Sequence, residues 1–76
     1  MVHVYGKPDC VQCKYTNKKL EAEGLQYEYH DITADEQARQ IVEESGKAQL
    51  PYVVAGDQSW HGLSPDKIKS LKLVNA

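Results

Sequence analysis

Cysteine is scarce in this chain: Cys10 and Cys13 are the only two among 76 residues. That excludes a secreted disulfide framework, which needs several bridged pairs. A Cys10–Cys13 bridge also closes too short a loop to restrain much of the unfolded chain, so the pair has little value as a staple. A basic excess is missing too. Lys plus Arg number 9 against 11 Asp plus Glu, a formal net charge of −2, which is not the footprint of a nucleic-acid binder. The longest wholly apolar run is Pro51 to Ala55, far short of the roughly 20 residues that span a bilayer, so no membrane association is expected. Met1-Val2-His3-Val4-Tyr5 has no basic segment followed by an apolar stretch, and the expected location is therefore the cytoplasm. No repeat or low-complexity tract appears, and the length leaves room for one domain over residues 1–76. A domain this small buries only about 60 to 65% of its unfolded surface, so its stability is expected to be modest.

What is present is regular punctuation. Val2 and Val4 alternate with His3 and Tyr5 as a first strand ending at Gly6 and Pro8. Asp9 stands where an N-cap could open a helix from Cys10 or Val11 to Glu23, stopped by Gly24, with Cys13, Thr16 and Leu20 on its inner face. Leu25, Tyr27 and Tyr29 alternate with polar neighbours as a second strand with one face inward. Thr33 and Glu36 form a capping-box pattern before a second helix whose inner face is Ala38, Ile41, Val42 and Ser45, ending at Gly46. Leu50 to Val54 reads as a third strand, Gly56-Asp57 as a hairpin turn and Gln58 to His61 as a fourth strand. Ser64 as N-cap, Pro65 at the first helical position and a Leu63–Ile68 staple open a last helix with Ile68 and Leu71 inward, ending near Leu73. The order is βαβαββα. Strands joined by a helical crossover are expected to be parallel and the final hairpin antiparallel, giving a mixed four-stranded α/β sheet with three helices on its two faces.

Cys10-Val11-Gln12-Cys13 falls at the junction of the first strand and first helix, which matters more than the bare C-x-x-C spacing. At a helix start, unpaired N–H groups and the positive end of the helix dipole favour a thiolate at Cys10. Cys13 lies one turn on, deeper in the fold and within disulfide reach, as a resolving thiol must. Lys7 and Lys14 flank the pair and can favour the thiolate by charge, although solvated lysines contribute weakly. A zinc site needs four ligands, and His3, His30 and His61 are scattered without the paired spacing of a finger, so no metal is expected. Pro51 fits the start of a strand. On pattern alone Trp60 reads as core and Gly62 as a turn residue.

Together these residues resemble a known family. The element order, the cysteines after the first strand and Leu50-Pro51 before the third are similar to the thioredoxin/glutaredoxin fold. Cys10-Val11-Gln12-Cys13, Gln49-Leu50-Pro51, Val54-Ala55-Gly56-Asp57 and Trp60-x-Gly62-x-x-Pro65-Asp66 resemble the NrdH-redoxins. The resemblance implies a hydrogen donor to the large subunit of class Ib ribonucleotide reductase, recharged by thioredoxin reductase. It implies a cis Leu50–Pro51 bond and a partner-facing surface of Lys7, Pro8, Val11 and Gln12 beside the cysteines, with Leu50, Pro51, Trp60, His61 and Gly62 opposite. The family's usual Trp-Ser-Gly-Phe-Arg-Pro is here Trp60-His61-Gly62-Leu63-Ser64-Pro65. Glutathione-using glutaredoxins carry Pro-Tyr between the cysteines and Gly-Gly plus an acid near the last helix; here the spacer is Val11-Gln12, and Leu63 follows Gly62.

The leading expectation is a monomeric dithiol–disulfide oxidoreductase with no cofactor beyond the Cys10–Cys13 disulfide. Three rivals stand beside it: a glutathione-dependent glutaredoxin, a metal or iron–sulfur module with cysteines lent by two chains, and an interaction domain with an inert cysteine pair.

Overall fold

A computed structural model describes residues 1–75. Its elements are β1 (Val2–Gly6), α1 (Val11–Ala22), β2 (Tyr27–Asp31), α2 (Glu36–Glu44), β3 (Tyr52–Ala55), β4 (Gln58–His61) and α3 (Pro65–Asn75). The strands lie in the order β2-β1-β3-β4, so the valine-bearing first strand is central, as a strand covered on both faces should be. β1 pairs with β2 in parallel, with Val4 opposite Tyr29, and with β3 antiparallel, with Val4 opposite Val53. The β3–β4 hairpin turns at Gly56 and Asp57 and sets Val53 against Trp60.

One crossover departs from the parallel rule. β3 runs antiparallel to β1 because α2 is only nine residues long and is followed by the segment 45–51. That segment returns the chain to the end of the sheet where β1 finishes, so that Tyr52 starts beside Tyr5.

Strand alternation sends successive side chains to opposite faces. Val2, Val4, Val53, Ala55 and Trp60 meet Leu20 of α1 and Ile68 and Leu71 of α3 in the larger core. Tyr5 meets Ala38 and Val42 of α2 in the smaller one, with Tyr52 and Val54 packed alongside. The expected three helices on two faces is therefore found as two against one.

Local signals were misread in four places. Cys10, not Asp9, caps α1: its sulfur accepts from the Cys13 N–H, while Asp9 takes φ 64°, in the left-handed region that Asp tolerates better than most residues. Asp35 caps α2, accepting from the N–H groups of Gln37 and Ala38 at 3.0 and 3.2 Å. Thr33 is already engaged, donating its N–H and hydroxyl to Asp31 Oδ1 at 2.8 and 2.6 Å. On α2 only Ala38 and Val42 are buried, and Ile41 is 40% exposed, since a short helix over one sheet edge hides a narrow stripe. The last helix also runs two residues beyond its expected end, to Asn75.

Candidate active site

The cysteine pair sits where β1 gives way to α1, and its geometry follows from that junction. The turn through Pro8 and Asp9 aims Cys10 at the helix start, where it is half-buried while Val11 and Gln12 are exposed. Cys13 points inward and is 1% exposed. The two are joined as a disulfide with Cα atoms 5.2 Å apart, within the range ordinary for such bridges. The pair is thus asymmetric: Cys10 is partly exposed and Cys13 is sealed. The Cys13 N–H lies 3.2 Å from Cys10 Sγ, and no acidic side chain stands in the first turn of α1. A first-turn N–H aimed at sulfur, together with the helix dipole, stabilises negative charge there.

The inner sulfur is held tightly. Gly6 ends β1 against it: a Cβ on Gly6 would lie 2.7 Å from Cys13 Sγ and 2.8 Å from the Tyr29 hydroxyl. Tyr29 donates to the Lys7 carbonyl at 3.2 Å, so an edge-strand side chain fixes the loop that leads into the cysteines. Burial, then the nearby Asp31 carboxylate, push the Tyr29 phenol up in pKa, and it stays a neutral donor. One turn after Cys13, the fully buried Thr16 donates to the Gln12 carbonyl at 2.8 Å.

The Leu50–Pro51 bond is cis, matching the expectation from the resemblance. The Gly62 N–H donates to the Pro51 carbonyl at 2.8 Å. Gly62 has φ 86°, and a Cβ there would meet Gln49 Nε2 at 2.8 Å and Gln12 Oε1 at 3.7 Å. Gly62 thus links the Pro51 carbonyl with the side chains of Gln12 and Gln49, and Gln49 is a residue that sequence reasoning quoted only as part of a motif.

The remaining sequence-named residues divide. Lys7, Pro8 and Val11 are exposed around the cysteines, and Leu50 is half-buried against the α2 core. Trp60, placed at the partner-facing rim by the resemblance and in the core by its pattern, lies in the core at 5% exposure, with Lys67 Nζ 5.8 Å from its ring centre. The His61 ring also turns away from the rim. It stacks on Tyr52 at 4.5 Å and bonds Ser45 Oγ at 2.9 Å. Desolvation, then the Lys47 charge, hold its pKa below the usual histidine value. Tyr15 was missed. At 58% exposure beside Val11 at 66%, it forms an apolar lip on the outer face of α1, whose i, i+4 spacing off the buried stripe was the available signal.

An open cleft of about 440 Å³ beside α2, lined by Ile32, Arg39, Val42 and Lys47 among others, contains none of the cysteine-site residues. Disulfide exchange needs an exposed sulfur on a surface that a partner can cover, and such a cleft is no requirement. Away from the cysteines, His3, Glu28 and His30 bring three metal-ligating atoms within 4.8 Å of one another.

Comparison with known proteins agrees with this geometry. The glutaredoxin family model matches residues 2–60. The glutaredoxin-like protein NrdH of Escherichia coli K12 is 37% identical over 70 residues, covering 92% of this chain and 86% of its own, and that of Salmonella typhimurium is 36% identical over the same span. The solved structure of NrdH-redoxin from Escherichia coli superposes with a TM-score of 0.88 over 92% of each chain at 37% identity. A glutaredoxin from Archaeoglobus fulgidus superposes at 0.77 and 33% identity, over 92% of this chain and 83% of its own. A glutaredoxin match over most of its length, NrdH relatives aligned across nearly all of it, and a cysteine pair at disulfide distance make this chain a thiol–disulfide oxidoreductase belonging to the glutaredoxin family, in its NrdH-redoxin branch.

Proposed function

We propose that this protein is a cytoplasmic, monomeric hydrogen donor to the large subunit of class Ib ribonucleotide reductase, recharged by thioredoxin reductase and using no cofactor beyond its own disulfide. The observation that carries the chemistry is the unequal exposure of Cys10 and Cys13, with a helix N–H pointed at the outer sulfur. In the reduced protein the Cys10 thiolate attacks one sulfur of a partner disulfide. That S–S bond breaks, a Cys10–partner bond forms, and the departing partner thiolate takes up a proton. Cys13, losing its proton, then attacks Cys10 Sγ, forming the Cys10–Cys13 bond and releasing the second partner thiolate, so two electrons pass to the partner, whose two thiolates take up the Cys13 proton and one proton from solvent.

The surface around Cys10 supports a protein as the partner. Val11 and Tyr15 expose apolar area next to the sulfur, with Lys14 and Lys18 lining the same shallow depression, a mixture suited to a passing protein contact. Gln12 stands where glutathione-using proteins carry tyrosine, and Leu63 replaces the second glycine of their Gly-Gly. The Escherichia coli NrdH-redoxin relative is itself described as having a thioredoxin-like activity profile, which is the partner preference assigned here.

Coupled NADPH oxidation tests the reading. With a disulfide substrate present, turnover is expected with thioredoxin reductase and not with glutathione plus glutathione reductase. Turnover only in the glutathione system would overturn the partner assignment and leave a glutathione-dependent glutaredoxin.

A further inference from the structure

We propose that His3, Glu28 and His30 form a Zn²⁺-binding site on the open edge of the sheet, separate from the cysteine pair. The parallel register places His3 of β1 opposite Glu28 of β2, and Tyr5 opposite His30. All four side chains therefore leave the same face of the sheet, the one that α2 only partly covers. His3 Nδ1 lies 3.0 Å from His30 Nε2, and Glu28 Oε2 lies 3.5 Å from the first nitrogen and 3.7 Å from the second. Donors about 2.0 to 2.1 Å from a tetrahedral ion stand about 3.3 Å apart. The three atoms already form such a triangle to within a few tenths of an ångström.

The chemistry of the set fits as well. Two imidazoles and one carboxylate suit a borderline divalent cation. The two rings are inclined to each other by 24° with centroids 5.3 Å apart, and they meet nitrogen to nitrogen. Tyr5 stacks on His30 at 4.8 Å and restricts the motion of that ring. With both rings neutral, one N–H lies between the two inner nitrogens. On binding, that proton moves to the outer nitrogen of the same ring, leaving two lone pairs for the metal with no net proton loss. The side chains of His3, Glu28 and His30 are 36%, 56% and 25% exposed, so an ion can enter from solvent and water completes its coordination.

The site is structural in kind. Zn²⁺ has no redox chemistry, and these side chains leave the face opposite Val4 and its core neighbours Leu20 and Ile68, away from α1 and its cysteines. An ion here ties the edge strand β2 to the central strand β1, and binding to the folded state alone raises the unfolding midpoint.

The test titrates Zn²⁺ into the untagged protein in its disulfide form at neutral pH, so that no thiolate competes, with calorimetric readout. One Zn²⁺ per chain is expected. Glu28→Gln and His30→Ala should each weaken binding tenfold or more, a loss at least equal to that from removing an outer-shell support, while His61→Ala leaves it unchanged. Glu28 is exposed and belongs to neither core cluster, so Glu28→Gln remains decisive if His30→Ala fails to fold. Absence of saturable binding, or binding that Glu28→Gln leaves intact, would overturn the site.

Discussion

Gly6 and Cys13 touch as closely as a strand and a helix can: a methyl group added to Gly6 would lie 2.7 Å from the Cys13 sulfur. The end of the central strand therefore sets the depth of the inner sulfur. Gly6→Ala must push α1 outward or displace the Tyr29 hydroxyl, and overpacking of this sort costs about 1 to 3 kcal/mol. Urea unfolding of the oxidised protein should show that loss, and exchange rates should fall with it. An unchanged midpoint would mean that strand and helix separate freely.

Thr16 is a buried polar residue of the larger helix–sheet interface, at 0% exposure, and its hydroxyl donates to the Gln12 carbonyl within the active-site turn. Thr16→Val keeps the shape and removes the donor, for a loss of about 1 kcal/mol. Denaturant midpoints of the two proteins measure it.

Asp9 occupies the left-handed region immediately before the reactive cysteine. A β-branched residue there lacks the short polar side chain by which Asp offsets the left-handed penalty of about 1 to 2 kcal/mol, and its second γ-carbon crowds the backbone. Asp9→Val should be destabilised on that scale in urea, whereas Asp9→Gly should be tolerated, since glycine adopts positive φ without a clash.

His61 supplies a pH dependence. Its folded pKa lies below the ordinary 6.5 because burial and Lys47 disfavour the charged ring. The unfolded chain therefore binds the proton more readily. His61 contributes its full stability above about pH 6.5, and that contribution is lost as pH falls through and below this value. The difference in denaturation midpoint between wild type and His61→Phe should shrink between about pH 8 and about pH 5. A constant difference would show that the ring titrates as in the unfolded chain.

Much of this molecule was legible in the residues alone, and the exceptions share a cause. The alternation of Val2 and Val4, the Cys13–Thr16–Leu20 stripe and the Gly56-Asp57 turn each depend on neighbours a few positions away, and each is found where the pattern placed it. Caps were harder. Several nearby oxygens compete for the same N–H groups, and Thr33 lost to Asp35 because Asp31 had already engaged it. The direction of β3 depended on how far α2 reaches before the chain turns back. The convergence of Gln12, Gln49 and Gly62, and that of His3 with His30 across 27 positions, were invisible to spacing because both arise from pairing between distant segments.

The most direct measurement uses the reduced protein and an aromatic disulfide whose released thiol is coloured. Wild type should release both thiols of the reagent as Cys10 is captured and Cys13 displaces it. Cys13→Ser should release one and remain covalently blocked at Cys10, and Cys10→Ser should react orders of magnitude more slowly. Equal rates for Cys10→Ser and Cys13→Ser, or a stable adduct on the inner sulfur, would contradict the assignment of roles.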